Sequence, residues 1–336
     1  MRAEEVGMRN NDMAVVVRGI HKAFGTVVAL DDVSFEVGRG EVIGLLGPNG
    51  AGKTTMVDIL STLTRPDGGS ATVAGHDVVS DPAGVRRSIM VTGQQVAVDD
   101  ALTGEQNLVL FGRLYGLSKS AARRRSQELL EQFGLMHAAK RRVSTYSGGM
   151  RRRIDIACGL VVQPQVAFLD EPTTGLDPRS RQAIWDLVAS FKKLGVATLL
   201  TTQYLEEADA LSDRIILIDH GTIIAEGTAN ELKHRAGDTF CEIVPRDLKD
   251  LDAIVAALGS LLPEQSRAIL TPESDRITMP APGGTRTLIE AARRIDEANI
   301  ELADIALRRP SLDDVFLSMT TDPSESLSHL ASAGMR

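Results

Sequence analysis

Four short runs of the chain consist almost entirely of apolar residues, and this pattern predicts strands that are buried on both faces. The runs cover residues 42–46, 166–169, 197–200 and 215–218. Continuous rather than alternating apolar runs are typical of a parallel sheet that helices cover on both sides. We therefore expect one α/β unit, with a mixed sheet at its core, across residues 13–236.

Two other patterns divide this unit further. Residues 14–35 alternate between apolar and polar positions and contain turn residues, which predicts a small antiparallel sheet. Residues 98–162 have a helical pattern that is interrupted at Gly116-Leu117 and at Gly134-Leu135. A helical subdomain is therefore predicted at 98–162.

The pattern changes again after Gly237. A strand is predicted at 240–244, a helix at 251–258 and a hairpin or bent strand at 268–279. A second helix at 287–298 and a final strand at 300–307 follow. This succession predicts a small α+β domain of the split β-α-β, ferredoxin-like type at 238–320. The remaining residues, 321–336, are rich in serine and small side chains and are predicted to be a flexible tail.

Composition narrows the class of protein. A length of 336 residues is enough for about two domains. The net charge of −8 argues against binding of nucleic acid, whose phosphates favour a basic surface. Cys158 and Cys241 lie far apart without metal-ligand spacing around them, which indicates a reducing, cytoplasmic setting. No stretch approaches the roughly 18–20 consecutive apolar residues of a membrane-spanning helix. If the protein acts at a membrane, we therefore expect a partner protein to hold it there.

A glycine-rich loop between a predicted strand and a predicted helix is the most informative segment. It consists of Gly47, Pro48, Asn49, Gly50, Ala51, Gly52, Lys53 and Thr54. Glycines let the backbone curl so that successive N–H groups point inward and bind phosphate, and the helix N-terminus adds positive potential. In such a loop, Lys53 contacts the β- and γ-phosphates and the Thr54 hydroxyl ligates Mg²⁺. The loop therefore predicts a protein that binds and hydrolyses ATP, with Mg²⁺.

Two acidic residues follow the predicted strand at 166–169. Asp170 lies at the carboxyl end of this strand, where α/β sheets bind their ligands, and is expected to hold Mg²⁺ through its water shell. Glu171 is the next residue and is expected to polarise the attacking water. Paired with the phosphate loop, the two carboxylates predict hydrolysis rather than binding alone.

A second candidate anion site is the turn Ser147-Gly148-Gly149, which opens a predicted helix. The serine hydroxyl and the free N–H groups at the start of a helix can bind an anion. A Ser-Gly-Gly turn is a weak signal by itself, and its position between the phosphate loop and Asp170 makes it informative.

With these motifs in this order, residues 13–236 resemble the ATP-binding subunits of ABC transporters. The resemblance implies a P-loop ABC-type nucleotide-binding domain, followed here by the small C-terminal domain. It assigns nucleotide contacts to Phe24, to residues 47–55 including Thr55, and to Ser147, Gly148, Gly149 and Asp177. It assigns catalysis to Glu171, Gln203 and Gln94, and Mg²⁺ to Thr54, Gln94 and Asp170.

Two of these assignments have alternatives. Phe24 is either the aromatic residue that stacks on adenine or a core aromatic, and Gln95 rather than Gln94 is the alternative for the Q-loop glutamine. Three positions also depart from the family pattern: Tyr146 replaces a leucine, Met150 a glutamine and Gln203 the switch histidine. A glutamine amide can donate a hydrogen bond to the γ-phosphate, but it cannot carry a proton. Catalysis is therefore assigned chiefly to Glu171.

Gln203, the Val91-Thr92-Gly93-Gln94 segment and the C-terminal extension narrow the resemblance. Together they look like the daunorubicin-resistance branch of drug and lipid exporters, whose C-terminal domain ends in a segment similar to residues 309–316. This branch exports anthracycline-type drugs or complex lipids. Much of the chain resembles the version that exports phthiocerol dimycocerosate lipids.

The resemblance also implies partners. In a head-to-tail homodimer, Ser147 and Gly149 of one copy would face Lys53 and Glu171 of the other, with ATP between them. Separate integral membrane permease subunits would bind the hydrophobic drug or lipid, and the chain would lie at the cytoplasmic face of the membrane. No nucleic acid is expected.

Several alternatives stay open at this stage. The alternatives to an exporter motor are a soluble ABC-type ATPase that acts on DNA or ribosomes, an importer or regulatory ATPase, and an inactive nucleotide-binding module. A single cassette, no sustained heptads and the negative charge argue against the first, and Asp170-Glu171 argues against the last. The basic runs at 123–125, 140–142 and 151–153 are either solvated helix faces or contacts with a permease or anionic lipid. The C-terminal domain either adds dimer contacts or regulation, or is a passive extension.

Overall fold

The computed structural model describes residues 12–93, 97–236, 239–262, 275–308, 310–312 and 315–316. These residues belong to two compact units, which divide between Thr228 and Ala229. The strands of the first unit are β1 (Met13–Phe24), β2 (Val27–Gly38), β3 (Val42–Leu46), β4 (Gly68–Val73), β5 (His76–Asp77), β6 (Ile89–Thr92), β7 (Val166–Asp170), β8 (Ala197–Thr202), β9 (Arg214–Asp219) and β10 (Thr222–Gly227). Its helices are α1 (Lys53–Leu60), α2 (Pro82–Ser88), α3 (Gly104–Leu114), α4 (Lys119–Gln132), α5 (Gly148–Gly159), α6 (Pro178–Lys193) and α7 (Leu205–Leu211).

The four apolar runs lie side by side in one six-stranded sheet, which confirms the predicted buried strands. The described strands have the order β10-β9-β3-β8-β7-β6, and β3 pairs in parallel with both β8 and β9. Strands β6, β7 and β8 are also parallel, whereas β10 pairs antiparallel with β9. The sheet is therefore mixed, as predicted, and its parallel carboxyl ends share one edge.

This sheet separates two hydrophobic cores, because successive side chains of a strand point to opposite faces. Val166 and Phe168 of β7 pack in the core that contains α1 and β1. Ala167 and Leu169 pack in the core that contains residues of α3, α4 and α5. A continuous apolar run is thus required, since both faces of the strand are buried.

The two predicted subdivisions of the first unit are present. Strands β1, β2, β4 and β5 form an antiparallel sheet in the order β2-β1-β4-β5. The helical pattern at 98–162 corresponds to α3, α4 and α5, with Gly116 between the first two helices and Gly134 just after the second. Both glycines have positive φ, at 87° and 63° respectively, which explains why the helices end where the Gly-Leu pairs occur.

The second unit contains α8 (Ala229–Ala236), β11 (Phe240–Pro245), α9 (Leu251–Leu258), β12 (Ile277–Pro280), α10 (Thr285–Glu297) and β13 (Leu302–Arg308). Strand β11 lies between β12 and β13 and is antiparallel to both. Buried residues of β11, β12, α9 and α10, such as Ile243, Met279, Ile254 and Ile295, form the core of this unit. This arrangement agrees with the predicted α+β, ferredoxin-like domain. The predicted hairpin at 268–279 lies largely outside the described residues, and the tail at 321–336 lies entirely outside them. Of the segment 309–316, residues 310–312 and 315–316 are described.

We expect that Phe168→Ala destabilises the first unit strongly, because Phe168 is fully buried in the central sheet. Loss of such a side chain costs about 3–5 kcal/mol of the free energy of unfolding. Denaturant titration followed by tryptophan fluorescence measures this value, since Trp185 is the single tryptophan of the chain and lies in the first unit. Leu63→Ala is the control, because Leu63 is 73% exposed and should change the value by less than about 0.5 kcal/mol. Equal effects of the two changes would contradict the assignment of the core.

Candidate active site

The predicted phosphate loop connects β3 to α1, and two of its glycines have no room for a side chain. A Cβ at Gly47 would lie 2.1 Å from the Ile218 carbonyl oxygen, and one at Gly52 would lie 2.4 Å from that of Ala29. Gly52 also has φ +105°, which favours glycine, and it is the residue that caps α1. The loop therefore curls tightly against neighbouring backbone, and its conformation depends on glycine.

The Lys53 side chain lies inside this curl. Its Nζ donates hydrogen bonds to the carbonyl oxygens of Gly47 at 2.7 Å and Pro48 at 2.9 Å. Burial lowers the pKa of this ammonium group, whereas the charges of Glu171 and Asp170 act in the opposite direction. A lysine ammonium group inside such a glycine-rich loop is suited to bind the phosphate groups of a nucleotide.

Asp170 lies at the end of β7, against the first turn of α1. The Thr54 hydroxyl is 3.2 Å from Asp170 Oδ2, and the Thr201 hydroxyl donates a 2.5 Å hydrogen bond to Asp170 Oδ1. The side chain of Asp170 is buried, while Thr54 is exposed. The structure thus brings together the hydroxyl and the carboxylate that the sequence predicted as metal ligands.

Glu171 has an unusual backbone conformation, with φ +46°. Its N–H is 3.1 Å from both the carbonyl oxygen and the Oγ1 of Thr201, which lies on the neighbouring strand β8. Its carboxylate accepts a hydrogen bond from the Thr174 hydroxyl at 3.3 Å. Positive φ is costly for a residue with a side chain, and such positions persist at functional sites when the surrounding structure holds them.

The parallel strands explain why these groups meet. In the pairing of β7 with β8, Asp170 is opposite Thr201, and in the pairing of β3 with β8, Leu46 is opposite Thr202. The phosphate loop, the two acidic residues and Gln203 therefore leave the sheet at the same edge. Gln203 is half-buried there.

A cavity of about 700 Å³ lies at this edge. Its walls come from the phosphate loop, the first turn of α1, the segment after β7, Gln203 and the start of α5; among the lining residues are Asn49, Gly50, Gly52, Lys53, Thr54, Thr55, Gly148, Glu171 and Gln203. Lys53 and Thr54 of the phosphate loop thus share one cavity with Glu171 and Gln203.

Other predicted site residues lie elsewhere. Phe24 is 53% exposed at the end of β1, so it is not a core aromatic. The ammonium of Lys22 lies 5.2 Å from the centroid of the Phe24 ring and donates a hydrogen bond to Asp67 at 2.8 Å. Gln94 and its alternative Gln95 fall outside the described residues.

Ser147 and Asp177 cap two neighbouring helices. Ser147 Oγ accepts a long hydrogen bond of 3.4 Å from the Met150 N–H at the start of α5, and Asp177 accepts hydrogen bonds from the N–H and the hydroxyl of Ser180 at the start of α6. These bonds lower the pKa of Asp177. The two helix starts approach closely, because a Cβ at Gly149 would lie 2.3 Å from Ser180 Oγ. The packing of α5 against α6 therefore favours glycine at position 149.

Tyr146, which replaces a leucine of the family pattern, fits into the helical region by local packing. The side chain is buried, and its hydroxyl donates a 2.8 Å hydrogen bond to the Ala138 carbonyl oxygen. Gly104 at the start of α3 provides the space, since a Cβ there would lie 2.3 Å from the Tyr146 hydroxyl. The substitution therefore changes local packing in the helical region and leaves the Ser-Gly-Gly turn intact.

Arg152 and Thr201 have no role in the predicted motifs, yet both form hydrogen bonds with the segment that contains Asp170 and Glu171. Thr201 bonds both Asp170 and Glu171, as described above, and Arg152 is a buried arginine of α5 that binds main-chain carbonyls around Glu171. Arg152 lies in the run Arg151-Arg152-Arg153, and only the middle residue is buried. A basic residue on the buried side of a helix is the one signal in the sequence that points to it.

Comparison with known proteins identifies the family of the chain. The family profile described as ABC transporter matches residues 30–174. The chain is 86% identical over 331 residues to the doxorubicin resistance ATP-binding protein DrrA of Mycobacterium tuberculosis, covering 98% of this chain and 100% of that protein. The chain belongs to the DrrA family of ABC transporter ATP-binding proteins. As a member of this family, it binds and hydrolyses ATP as the motor subunit of an ABC exporter.

More distant members of the DrrA family also match over nearly the whole chain. The daunorubicin/doxorubicin resistance ATP-binding protein DrrA of Streptomyces peucetius is 48% identical over 316 residues, which are 93% of this chain and 94% of that protein. Among solved structures, a dimeric ATP-binding cassette in a post-hydrolysis state with ADP and Pi matches with a TM-score of 0.59 and 25% identity. That match covers 64% of this chain and 98% of the solved chain.

We expect that Gly149→Ala is destabilising because the added methyl group meets Ser180. The cost is about 1–3 kcal/mol of the free energy of unfolding, since Ser180 is itself held by Asp177. In a Ser180→Gly background the same change should cost at least about 1 kcal/mol less, which a double-mutant cycle measures by denaturant titration. Gly148→Ala is the matched control, because a Cβ at Gly148 meets nothing within 4 Å. A Gly149 cost that is the same in both backgrounds would disprove the contact.

Proposed function

We propose that this chain couples ATP hydrolysis to the export of hydrophobic drugs of the anthracycline type, or of complex lipids, through separate membrane permease subunits. The main support for ATP hydrolysis at this place is that one cavity is lined by Lys53, Thr54, Glu171 and Gln203. The names of the relatives, which refer to doxorubicin and daunorubicin resistance, support a hydrophobic drug as cargo. The resemblance to a lipid-exporting version supports a lipid such as phthiocerol dimycocerosate as the alternative cargo.

Mg²⁺ fits the residues at the end of β7. Magnesium is usually held by one or two carboxylates together with substrate phosphates and water, rather than by a cage of protein ligands. The pair formed by Thr54 and Asp170 is of this kind, and the described residues contain no group of three or more His, Cys, Asp or Glu that could hold a metal ion. We propose that Thr54 and Asp170, with Gln94, hold the ion, which would neutralise charge on the β- and γ-phosphates.

Glu171 is the residue that we assign to activation of water. Glu171 lines the cavity beside the phosphate loop, and its carboxylate accepts a hydrogen bond from the Thr174 hydroxyl. A carboxylate can accept the proton of the attacking water as the bond to the γ-phosphate forms. Gln203 lines the same cavity, and its amide can donate a hydrogen bond to the γ-phosphate without exchanging a proton. Gln203 therefore acts as a phosphate sensor in this proposal.

Two copies of the chain are proposed to share each ATP. Ser147 and Gly149 stand at the N-terminus of α5, whose free N–H groups and dipole favour an anion. The solved cassette dimer with ADP and Pi supports such an assembly for this fold. ATP would then stabilise the homodimer by contacts with both copies, and hydrolysis would weaken it, which gives a switch that a membrane partner can sense.

A permease is proposed to hold the chain at the cytoplasmic face of the membrane. Within the described part of the chain, no helix has the length and apolar content needed to cross a bilayer. Leu110, Leu114 and Tyr115 of the helical region are exposed, and apolar side chains at a surface are suited to a protein contact. We propose that residues 13–236 form the motor, with 98–162 at the permease, and that 238–320 adds dimer contacts or regulation.

We expect that Glu171→Gln retains ATP binding and loses turnover, because an amide cannot accept the proton of water. The hydrolysis rate should fall by roughly 100-fold or more. Phosphate release measures turnover, and the fluorescence change of a labelled ATP analogue measures affinity. Glu206→Gln, at an exposed position of α7, should leave both values unchanged. A Glu171→Gln protein that hydrolyses ATP at a near-normal rate would refute the assignment.

The proposed transport function is tested in inverted membrane vesicles that contain the chain and its membrane partner. We expect ATP-dependent accumulation of doxorubicin or of a long-chain lipid in these vesicles, together with faster hydrolysis when the cargo is added. The Glu171→Gln protein in the same vesicles should give neither effect. Hydrolysis that nucleic acid stimulates, while cargo and membrane partner do not, would favour an ATPase that acts on DNA or ribosomes.

A further inference from the structure

The Arg152 side chain connects three segments of the active site. Arg152 is 7% exposed, and its guanidinium group donates to three main-chain carbonyl oxygens. Nε binds that of Pro172 at 2.9 Å, Nη1 that of Gly93 at 2.7 Å and Nη2 that of Asp170 at 3.1 Å. A planar group with five donors in a fixed fork can serve three acceptors at once.

Two of these carbonyl groups flank Glu171, whose backbone needs support. Glu171 combines φ +46° with a following proline, and each of these features restricts or penalises its conformation. The peptide unit between Asp170 and Glu171 is held from both sides, because Arg152 binds its carbonyl oxygen and Thr201 binds its N–H. Strained backbone at a functional site persists only when the surroundings fix it in this way.

Asp155, one turn further along α5, forms a buried ion pair with the guanidinium group. Its Oδ2 is 3.7 Å from Arg152 Nη1, and its side chain is only 5% exposed. Its Oδ1 accepts a 2.9 Å hydrogen bond from the Ala97 N–H. The pair therefore binds Gly93 and Ala97, the two described residues on either side of Gln94, as well as the segment around Glu171.

We propose that Arg152 is a positioning residue for ATP hydrolysis, which holds the main chain on both sides of Glu171 while Asp155 holds its guanidinium group. The effect of Arg152 on the reaction passes through the place and orientation of the Glu171 carboxylate, so the inference rests on the role proposed for Glu171. A displacement of about 1 Å in a reacting group can reduce a rate by roughly 100-fold. Arg152 should therefore influence the rate of hydrolysis more than the affinity for ATP.

The first test is Arg152→Lys in the full-length protein. Lysine keeps the positive charge beside Asp155, but one ammonium group at the end of a flexible chain cannot serve the three separated carbonyl groups. We expect kcat to fall by roughly 10- to 100-fold, while the Kd for ATP changes by less than about threefold. A rise in Kd with unchanged kcat would show instead that Arg152 contacts ATP directly, and would overturn the proposal.

Arg125→Lys is the matched control for this change. Arg125 of α4 also donates to two main-chain carbonyl oxygens, those of Leu160 and Val161, at 3.0 and 3.3 Å. The same loss of a guanidinium fork should leave kcat unchanged there, because neither carbonyl adjoins Glu171. A similar loss of kcat in Arg125→Lys would show that the effect of Arg152 is a general result of weakened packing.

A second pair of variants separates positioning from stability. Arg152→Met leaves the Asp155 carboxylate buried without its partner, so both stability and kcat should fall. Adding Asp155→Asn removes that charge and keeps an acceptor for the Ala97 N–H, so the midpoint of denaturation should recover. We expect kcat to stay low in the double variant, because the carbonyls of Asp170 and Pro172 still lack their donor. Recovery of kcat together with stability would overturn the proposal.

Failure of this inference can be distinguished from failure of the role proposed for Glu171. If Glu171→Gln hydrolyses ATP normally, then the assignment of the general base is wrong. If Glu171→Gln is inactive and Arg152→Lys retains full kcat with normal affinity, then only the positioning role of Arg152 is wrong.

Discussion

The parallel pairing of β3, β7 and β8 is the constraint on which the rest of the active site depends. The register places Leu46 opposite Thr202 and Asp170 opposite Thr201, so the phosphate loop and the acidic residues leave the sheet together. A shift of one residue would turn each side chain to the opposite face of the sheet and separate Asp170 from Thr54. Burial on both faces specifies the register, because Phe168 and Leu169 pack in different cores.

The candidate site also contains two buried, positively charged side chains. Lys53 and Arg152 are both buried, and both donate hydrogen bonds to main-chain carbonyl oxygens, while Arg152 also forms an ion pair with Asp155. Removing a cation from water is expensive unless its donors are satisfied, and carbonyl groups do this without cancelling the charge. The positive potential of Lys53 therefore remains available at the edge of the sheet where we propose that the phosphates of ATP bind.

The departures from the family pattern have physical explanations of different kinds. Tyr146 is accommodated by the absence of a side chain at Gly104 and by the hydrogen bond to the Ala138 carbonyl oxygen. Gln203 keeps the position of the switch histidine at the cavity but does not titrate between pH 5 and 8. In the proposed mechanism, proton transfer then depends on Glu171, which makes the backbone conformation of that residue more important.

The sequence by itself determined the elements and motifs that depend on neighbouring residues. The apolar runs, the helix breaks at Gly116 and Gly134, and the phosphate loop are local patterns, because strand, helix and turn preferences act over short distances along the chain. Only the tertiary structure decided which distant groups meet. The three carbonyl partners of Arg152 lie 18, 20 and 59 residues away along the chain, so the sequence does not show which groups this arginine binds. Likewise, the contact of Gly149 with Ser180 exists only because two helices start side by side in the folded unit.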